Sequence, residues 1–171
     1  SPIWKNYEEN QTIFISNSYS YDFNATDNVA IEDYWINDTS NLVISDNGIL
    51  INSTKLELGT YNITIFANDT SGNIINASIT ISVYDDNPPN WIEMPSDQTI
   101  SVGTSFEYDI NATDETNIIY EINDTGMFSI DGVGLITNNS VLNTPDLINL
   151  MINAIDEGGN TISQDIVITI E

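Results

Sequence analysis

In this chain of 171 residues, most side chains that could bind a ligand or take part in a reaction do so through oxygen atoms. Asp and Glu number 26, Lys and Arg number 2, and the formal net charge is −24. The sequence contains no Cys and no His, so it lacks the sulfur and nitrogen ligands that zinc and copper prefer, and it lacks the commonest general base. Only oxygen ligands remain, and cations are therefore the expected small partners.

The charge also excludes classes of partner. A chain with a net charge of −24 repels the phosphates of nucleic acids and of anionic membrane surfaces. No apolar run is long enough to span a bilayer, so we expect no direct membrane insertion of this fragment. No signal peptide is recognisable, and we expect any export or anchoring signal to lie outside the sequence.

An internal repeat organises the chain. The segment "WKNYEENQTIFISNSYSYDFNATDN" begins at Trp4, and "WIEMPSDQTISVGTSFEYDINATDE" begins at Trp91, an offset of 87 residues. Further matches are "YWINDT" with "YEINDT" at an offset of 86 and "FANDTSGN" with "NAIDEGGN" at an offset of 87. Agreement over the whole length indicates two copies of one domain.

Each copy shows the pattern of short strands. Apolar and polar residues alternate from Tyr19 to Thr26 and again from Phe106 to Thr113, which is typical of half-buried strands. Turn signals separate the runs, including Asn47-Gly48, which favours a hairpin. No helix is predicted. About seven strands in each copy predict an all-β protein made of two tandem Greek-key β-sandwich domains.

The segment "VYDDNPPNW" at residues 83–91 lies between the copies. Pro88 and Pro89 cannot donate to a strand ladder, so the strand must stop and the connection is stiff. The prediction is therefore a domain covering residues 1–86 and a second covering 87–171, arranged end to end.

Several motifs of the second copy resemble a cadherin-type repeat. They are contained in "YDINATDE", "IIYEINDTGMFSIDGVGLITN" and "INAIDEGGNTISQDIVITI". That family has an Ala-Thr-Asp after the second strand, an Ala-x-Asp before the last strand and an Asp-x-Asn-Asp-Asn-x-Pro linker, which "VYDDNPPNW" approximates. The apolar motifs are also similar to immunoglobulin-like repeats of prokaryotic surface proteins. The Asn- and Ile-rich composition is similar to that of archaeal or bacterial surface arrays.

The resemblance implies a calcium site at the linker. Asp86 and Asn87 match the family's linker, Asp114 matches the Ala-Thr-Asp position, and Asp156 matches the Ala-x-Asp position. Other family ligands are missing, because Val83 and Thr116 stand where the family has Asp. The resemblance therefore implies a single weakly bound Ca²⁺ rather than several ions. Unit 1 carries Asp27 and Asp69 at the corresponding positions.

A second interpretation of these residues stays open, since Asp and Asn also favour turns through hydrogen bonds to their own backbone. Ten Asn-x-Ser/Thr sequons suggest a glycoprotein, and we expect glycans at Asn24, Asn62 and Asn111, which fall on the outward phase of predicted strands.

The predicted function is structural: a spacer or cell-adhesion repeat of an extracellular surface protein. Its expected partners are other repeats of the same protein, or a cell-surface protein or glycan. Two alternatives stay open, namely an accessory module that binds carbohydrate or protein, and a self-assembling subunit of a surface layer (S-layer) or filament. No enzyme is predicted, because 26 acids guarantee chance carboxylate pairs and the two equivalent copies offer no obvious cleft.

Overall fold

Both halves of the chain consist of short strands whose residues alternate between buried and more exposed positions. The computed structural model describes residues 1–5 and 7–171. The chain divides into unit 1, Ser1–Asp85, and unit 2, Asp86–Glu171. Within the described residues every regular element is a β-strand.

Unit 1 contains nine strands within the described residues. They are β1 (Ile3–Trp4), β2 (Asn10–Phe14), β3 (Ser20–Asp22), β4 (Ala25–Thr26), β5 (Ile31–Ile36), β6 (Leu42–Ile44), β7 (Ile49–Asn52), β8 (Gly59–Asp69) and β9 (Ile74–Tyr84).

Unit 2 repeats the series. Its strands are β10 (Asn90–Glu93), β11 (Gln98–Ile100), β12 (Glu107–Asp109), β13 (Asn111–Thr113), β14 (Ile118–Ile122), β15 (Phe128–Ile130), β16 (Leu135–Asn138), β17 (Asp146–Asp156) and β18 (Thr161–Ile170).

The strands of each unit pair in the same way. In unit 1 a four-stranded sheet has the order β2-β9-β8-β5 and a three-stranded sheet has the order β3-β7-β6, and β1 pairs with β4. In unit 2 the corresponding orders are β11-β18-β17-β14 and β12-β16-β15, and β10 pairs with β13. The ladders are antiparallel except that β2 runs parallel to β9 and β11 parallel to β18. The predicted class, two tandem β-sandwiches, is confirmed.

A separate apolar core fills each sandwich. Phe23, Leu50 and Ile65 are fully buried in unit 1, and Phe128 and Leu150 are fully buried in unit 2. Leu50 and Phe128 belong to the three-stranded sheet of their unit, Ile65 and Leu150 belong to the four-stranded sheet, and Phe23 directly follows β3. Burial of apolar surface between the sheets is therefore the main source of stability, because neither unit has a disulfide.

The predicted hairpin at Asn47-Gly48 is confirmed and joins β6 to β7. Gly48 has a φ of +82°, and a Cβ added to it would overlap the backbone oxygen of Phe23. Gly72 has nearly the same φ, +81°, but open space around it. Both turns need left-handed backbone, which favours glycine, and only the first also needs the missing side chain.

Candidate functional site

The four predicted calcium ligands all lie in unit 2. Asp156 is the last residue of β17, and Asp114 follows β13 directly. Asp86 and Asn87 precede β10. The residues therefore come from three separate segments of unit 2.

Asp156 caps the turn between β17 and β18. Its Oδ1 accepts a hydrogen bond from the backbone N–H of Asn160 at 2.8 Å, and its Oδ2 accepts one from the Asn160 side-chain amide at 3.0 Å. The residue is only 5% exposed. This carboxylate is therefore part of the turn, as the second interpretation of the sequence proposed. Each oxygen keeps a further lone pair.

Asp114 lies beside that turn. Its Oδ1 accepts hydrogen bonds from the backbone N–H and the hydroxyl of Thr116, both at 3.0 Å. The Thr116 hydroxyl in turn accepts a hydrogen bond from the backbone N–H of Glu157 at 3.3 Å. Thr116 therefore connects Asp114 to the residue that follows Asp156.

Asn87 also contacts this turn. Its backbone oxygen accepts a hydrogen bond of 3.4 Å from the side-chain amide of Asn160, the residue that Asp156 also binds. Asn160 thus links Asn87 to Asp156, and Thr116 links Asp114 to Glu157, the residue that follows Asp156. The side chain of Asp86 is exposed, and no described hydrogen bond joins it to the other three.

Glu115 also lies at this place and was not predicted as a ligand. Carboxylate oxygens of Glu115 and Asp114 lie within 4.8 Å of each other. Glu115 follows Asp114 directly in the sequence, and the run Asp114-Glu115 was the only available signal. Unit 2 therefore has an acidic cluster at this end, which agrees in its coarse features with a calcium site.

The corresponding pair in unit 1 faces a positive charge. The N-terminal ammonium of Ser1 lies 3.1 Å from Oδ2 of Asp27 and 3.7 Å from Oδ2 of Asp69. Oδ1 of Asp27 accepts from the backbone N–H of Val29 at 2.9 Å, as Oδ1 of Asp114 does from Thr116. In unit 1, each carboxylate therefore turns one oxygen toward the same cation.

The surroundings of the two unit 1 carboxyls favour their charged forms. The backbone N–H of Val29, together with the Ser1 ammonium, lowers the pKa of Asp27. The side-chain amide of Asn73, 2.6 Å from Oδ2, lowers the pKa of Asp69 together with backbone N–H groups. The hydrogen bond to Asp27 raises the pKa of the Ser1 ammonium above its usual value of 8.0.

This ion pair predicts a loss of stability in alkali. A group whose pKa is raised by folding stabilises the protein below its unfolded pKa, and the contribution disappears as the pH rises through the folded pKa. At low salt, the advantage in melting temperature of the free chain over an Nα-acetylated chain should therefore shrink between about pH 7 and pH 10. Every other ionisable group is common to the two proteins, so parallel curves would show that the pair contributes nothing.

The donor set of unit 2 suits calcium. Ca²⁺ takes about six to eight oxygen ligands in a flexible arrangement. Four donors are the carboxylates of Asp114, Asp156 and Glu115 and an oxygen of Asn87. Movement of its exposed side chain would add Asp86 as a fifth, and water could complete the shell. The cluster fits Mg²⁺ less well, because that ion requires nearly octahedral geometry.

The three predicted glycosylation sites all have exposed side chains. Asn62 lies in β8 and Asn111 in β13, whereas Asn24 lies between β3 and β4 rather than within a strand. The interruption accompanies a hydrogen bond from the Lys5 backbone N–H to the Asn24 backbone oxygen. Other sequon asparagines use their side-chain amide nitrogen as a donor: Asn52 to Thr54, Asn68 to Glu32 and Asn138 to Ser140.

Comparison with known proteins gives likeness in structure only. No protein-family model and no curated protein matches the sequence. Among solved structures, the titin domains z1z2 in complex with telethonin match 99% of this chain and 96% of their own, with 12% identity and a TM-score of 0.53. Protocadherin gammaB7 EC3-6 matches 99% of this chain and 48% of its own, with 18% identity and a TM-score of 0.51. Each unit has the fold of a cadherin-type or immunoglobulin-like repeat.

Some of the matching cadherin-type fragments are longer than this chain. Mouse cadherin-23 EC22-24 matches 99% of this chain but only 64% of its own length, with 21% identity and a TM-score of 0.47. The chain thus spans less than two thirds of that fragment and about half of the protocadherin fragment. At such identities the comparison establishes the fold alone. Within residues 1–5 and 7–171, no helix is long and apolar enough to cross a membrane.

Proposed function

We propose that this chain is a non-enzymatic structural or adhesive pair of repeats from an extracellular surface protein, and that calcium bound at the start of unit 2 stabilises it. Cadherin-type repeats with this fold, the strongly acidic composition and the repetition of the whole domain support a spacer or adhesion module. Its partners would be further repeats of the same protein, or a protein or glycan of the cell surface.

The observation that carries the calcium proposal is the group of acids at one end of unit 2. Carboxylate oxygens of Asp114 and Glu115 lie within 4.8 Å of each other, and Thr116 links Asp114 to Glu157, the residue that follows Asp156. Asp114 and Asp156 occupy the positions that Asp27 and Asp69 have in unit 1. Both pairs use Oδ1 in the same turn hydrogen bonds. The proposal places a cation near the Oδ2 atoms of Asp114 and Asp156, with Asn87, Asp86 and Glu115 as further oxygen donors.

Burial of Asp156 gives an independent reason. A buried carboxylate needs hydrogen bonds and a compensating charge. Asp156 is 5% exposed, and within the described part of the chain its carboxylate makes no salt bridge. The sequence has only two basic side chains, Lys5 and Lys55. A divalent cation would supply the charge that no side chain provides.

Calcium titration of thermal unfolding tests the proposal. An ion that binds only the native state stabilises it by about 2.7 kcal/mol at one hundred times Kd. For a unit of this size, the melting temperature of unit 2 should rise by about 10 °C or more. Magnesium at the same concentration is the control for ionic strength and should give a smaller shift. Identical melting in chelator and in calcium would contradict the site.

A further inference from the structure

The outward face of the four-stranded sheet in unit 1 carries an aromatic row. Trp35 of β5 is the register partner of Phe66 of β8, and Phe66 is the register partner of Asn76 of β9. Their neighbours along each strand, such as Ile36, Ile65 and Ala77, are buried in the core. Because side chains alternate between the faces of a sheet, the row Trp35–Phe66–Asn76 points away from the core.

The two rings are stacked along this row. Their centroids are 5.2 Å apart and their planes differ by 5°. Neighbouring strands are about 4.8 Å apart, so a centroid distance of that size means that the stack runs across the strands. One face of the Phe66 ring therefore covers Trp35. Its other face is directed toward β9 and hence toward Asn76.

The second copy of the repeat shows that the sandwich does not need this aromatic pair. The equivalent row in unit 2 is Glu121–Asn153–Ser163, with the same register. There the Ser163 hydroxyl donates a hydrogen bond of 2.7 Å to Oδ1 of Asn153. The two stacked rings and the asparagine beside them are thus replaced together by polar residues, although the fold is the same.

Asn76 begins a sequon, Asn76-Ala77-Ser78. Asn76 and Ser78 are exposed and Ala77 is buried, so the acceptor amide and the required hydroxyl lie on the same outward face. Within the described residues the Asn76 side chain makes no hydrogen bond, unlike Asn52, Asn68 and Asn138. Modification of its amide nitrogen would break no contact of the fold.

We propose that Asn76 carries an N-linked glycan whose first sugar packs on the face of the half-buried Phe66 ring that is turned away from Trp35. The apolar C–H face of a pyranose matches an aromatic face, and burial of both surfaces favours the contact. This proposal rests on the proposed extracellular location, because N-glycosylation accompanies export.

The covalent step needs an oligosaccharide donor carried on a lipid phosphate or diphosphate. A bond forms between Nδ2 of Asn76 and the anomeric carbon of the first sugar. The bond from that carbon to the phosphate oxygen breaks, and the lipid phosphate leaves with the electron pair. The amide nitrogen loses one proton to a base of the transferase, and no oxidation or reduction occurs.

Secretion of the full chain from an N-glycosylating host tests the first part of the proposal, the glycan at Asn76. Mass spectrometry of the glycopeptides should show sugar at Asn76, and Ser78→Ala should remove it there while the other sequons keep theirs. No sugar at Asn76 would overturn the proposal, whether or not Asn62 or Asn111 is occupied. The site occupancy does not depend on calcium, so this outcome is independent of the calcium titration.

Packing on Phe66 is tested by a double-mutant cycle. With Phe66 present, the glycosylated chain should melt on the order of 4 °C higher than Ser78→Ala. Phe66→Asn introduces the residue that unit 2 has at this position, so the fold should tolerate it, and it should abolish the difference. Trp35→Glu, chosen in the same way, should reduce it. Thr113→Ala, which removes the Asn111 sequon in unit 2, is the control and should show no coupling to Phe66. An unchanged difference in Phe66→Asn would overturn the packing.

Discussion

Asp156→Ala should lower the free energy of unfolding of unit 2 by about 2 kcal/mol in chelator, and by about 5 kcal/mol when calcium is present at one hundred times Kd. The first part arises because the backbone N–H and the side-chain amide of Asn160 lose their acceptor. The second part is the loss of the calcium contribution. Urea unfolding in the two buffers measures both values.

Two matched variants separate the roles of this carboxylate. Asp69→Ala removes the same cap from the turn of unit 1, where Asp69 accepts from Asn73, and should leave the calcium response of unit 2 unchanged. Asp114→Ala removes a half-buried carboxylate that we propose as a ligand, and it should abolish the calcium response at a smaller cost in chelator. If Asp114→Ala and Asp156→Ala both retain the full response to calcium, these acids serve only as turn residues.

Gly48→Ala should be nearly as damaging to unit 1. Left-handed backbone costs a non-glycine residue about 1–2 kcal/mol, and overlap with the Phe23 oxygen adds about 1–3 kcal/mol because that oxygen belongs to the backbone and cannot move freely. Gly72→Ala is the control, since it has nearly the same φ and no neighbour within 4 Å. The difference between the two variants isolates the overlap, and equal losses in urea unfolding would show that the hairpin adjusts.

The second unit offers a repetition of this test. Gly134 has a φ of +96°, and an added Cβ would overlap the backbone oxygen of Ile110. Gly134→Ala should therefore destabilise unit 2 to a similar extent. The two glycines occupy equivalent positions in the repeat, in "DNGIL" and "GVGLI".

The fold could be predicted because two signals agreed. The period-2 alternation around Tyr21 and Tyr108 indicates strands with one buried face. Because the domain is repeated, the same pattern appears twice in the sequence. The prediction of a continuous strand through Asn24 was wrong, because alternation reports which side of the chain is buried but not where the ladder hydrogen bonds stop. Strand ends depend on partners distant in sequence, such as Lys5, whose backbone N–H binds the Asn24 oxygen.

The candidate site was less accessible to sequence reasoning. Family motifs were sufficient to select Asp114 and Asp156, because each stands at a fixed place relative to a strand. They could not show that Thr116 and Asn160 join the segments, since those hydrogen bonds connect residues 41 and 73 positions apart. Glu115 was missed because an adjacent acid has no distinguishing pattern in a chain with 26 of them.

The parallel pairing of β2 with β9 has a mechanical consequence. Five register pairs, from Asn10 with Thr80 to Phe14 with Tyr84, join a strand near the beginning of unit 1 to its last strand. Tension between the two ends of the unit pulls these strands past each other in opposite directions, so their hydrogen bonds resist in shear and must fail together. The antiparallel hairpin of β8 and β9 would open one pair at a time under a pull at its two free ends. For a repeat in a surface protein, this geometry means that unit 1 can transmit force along the chain while it remains folded.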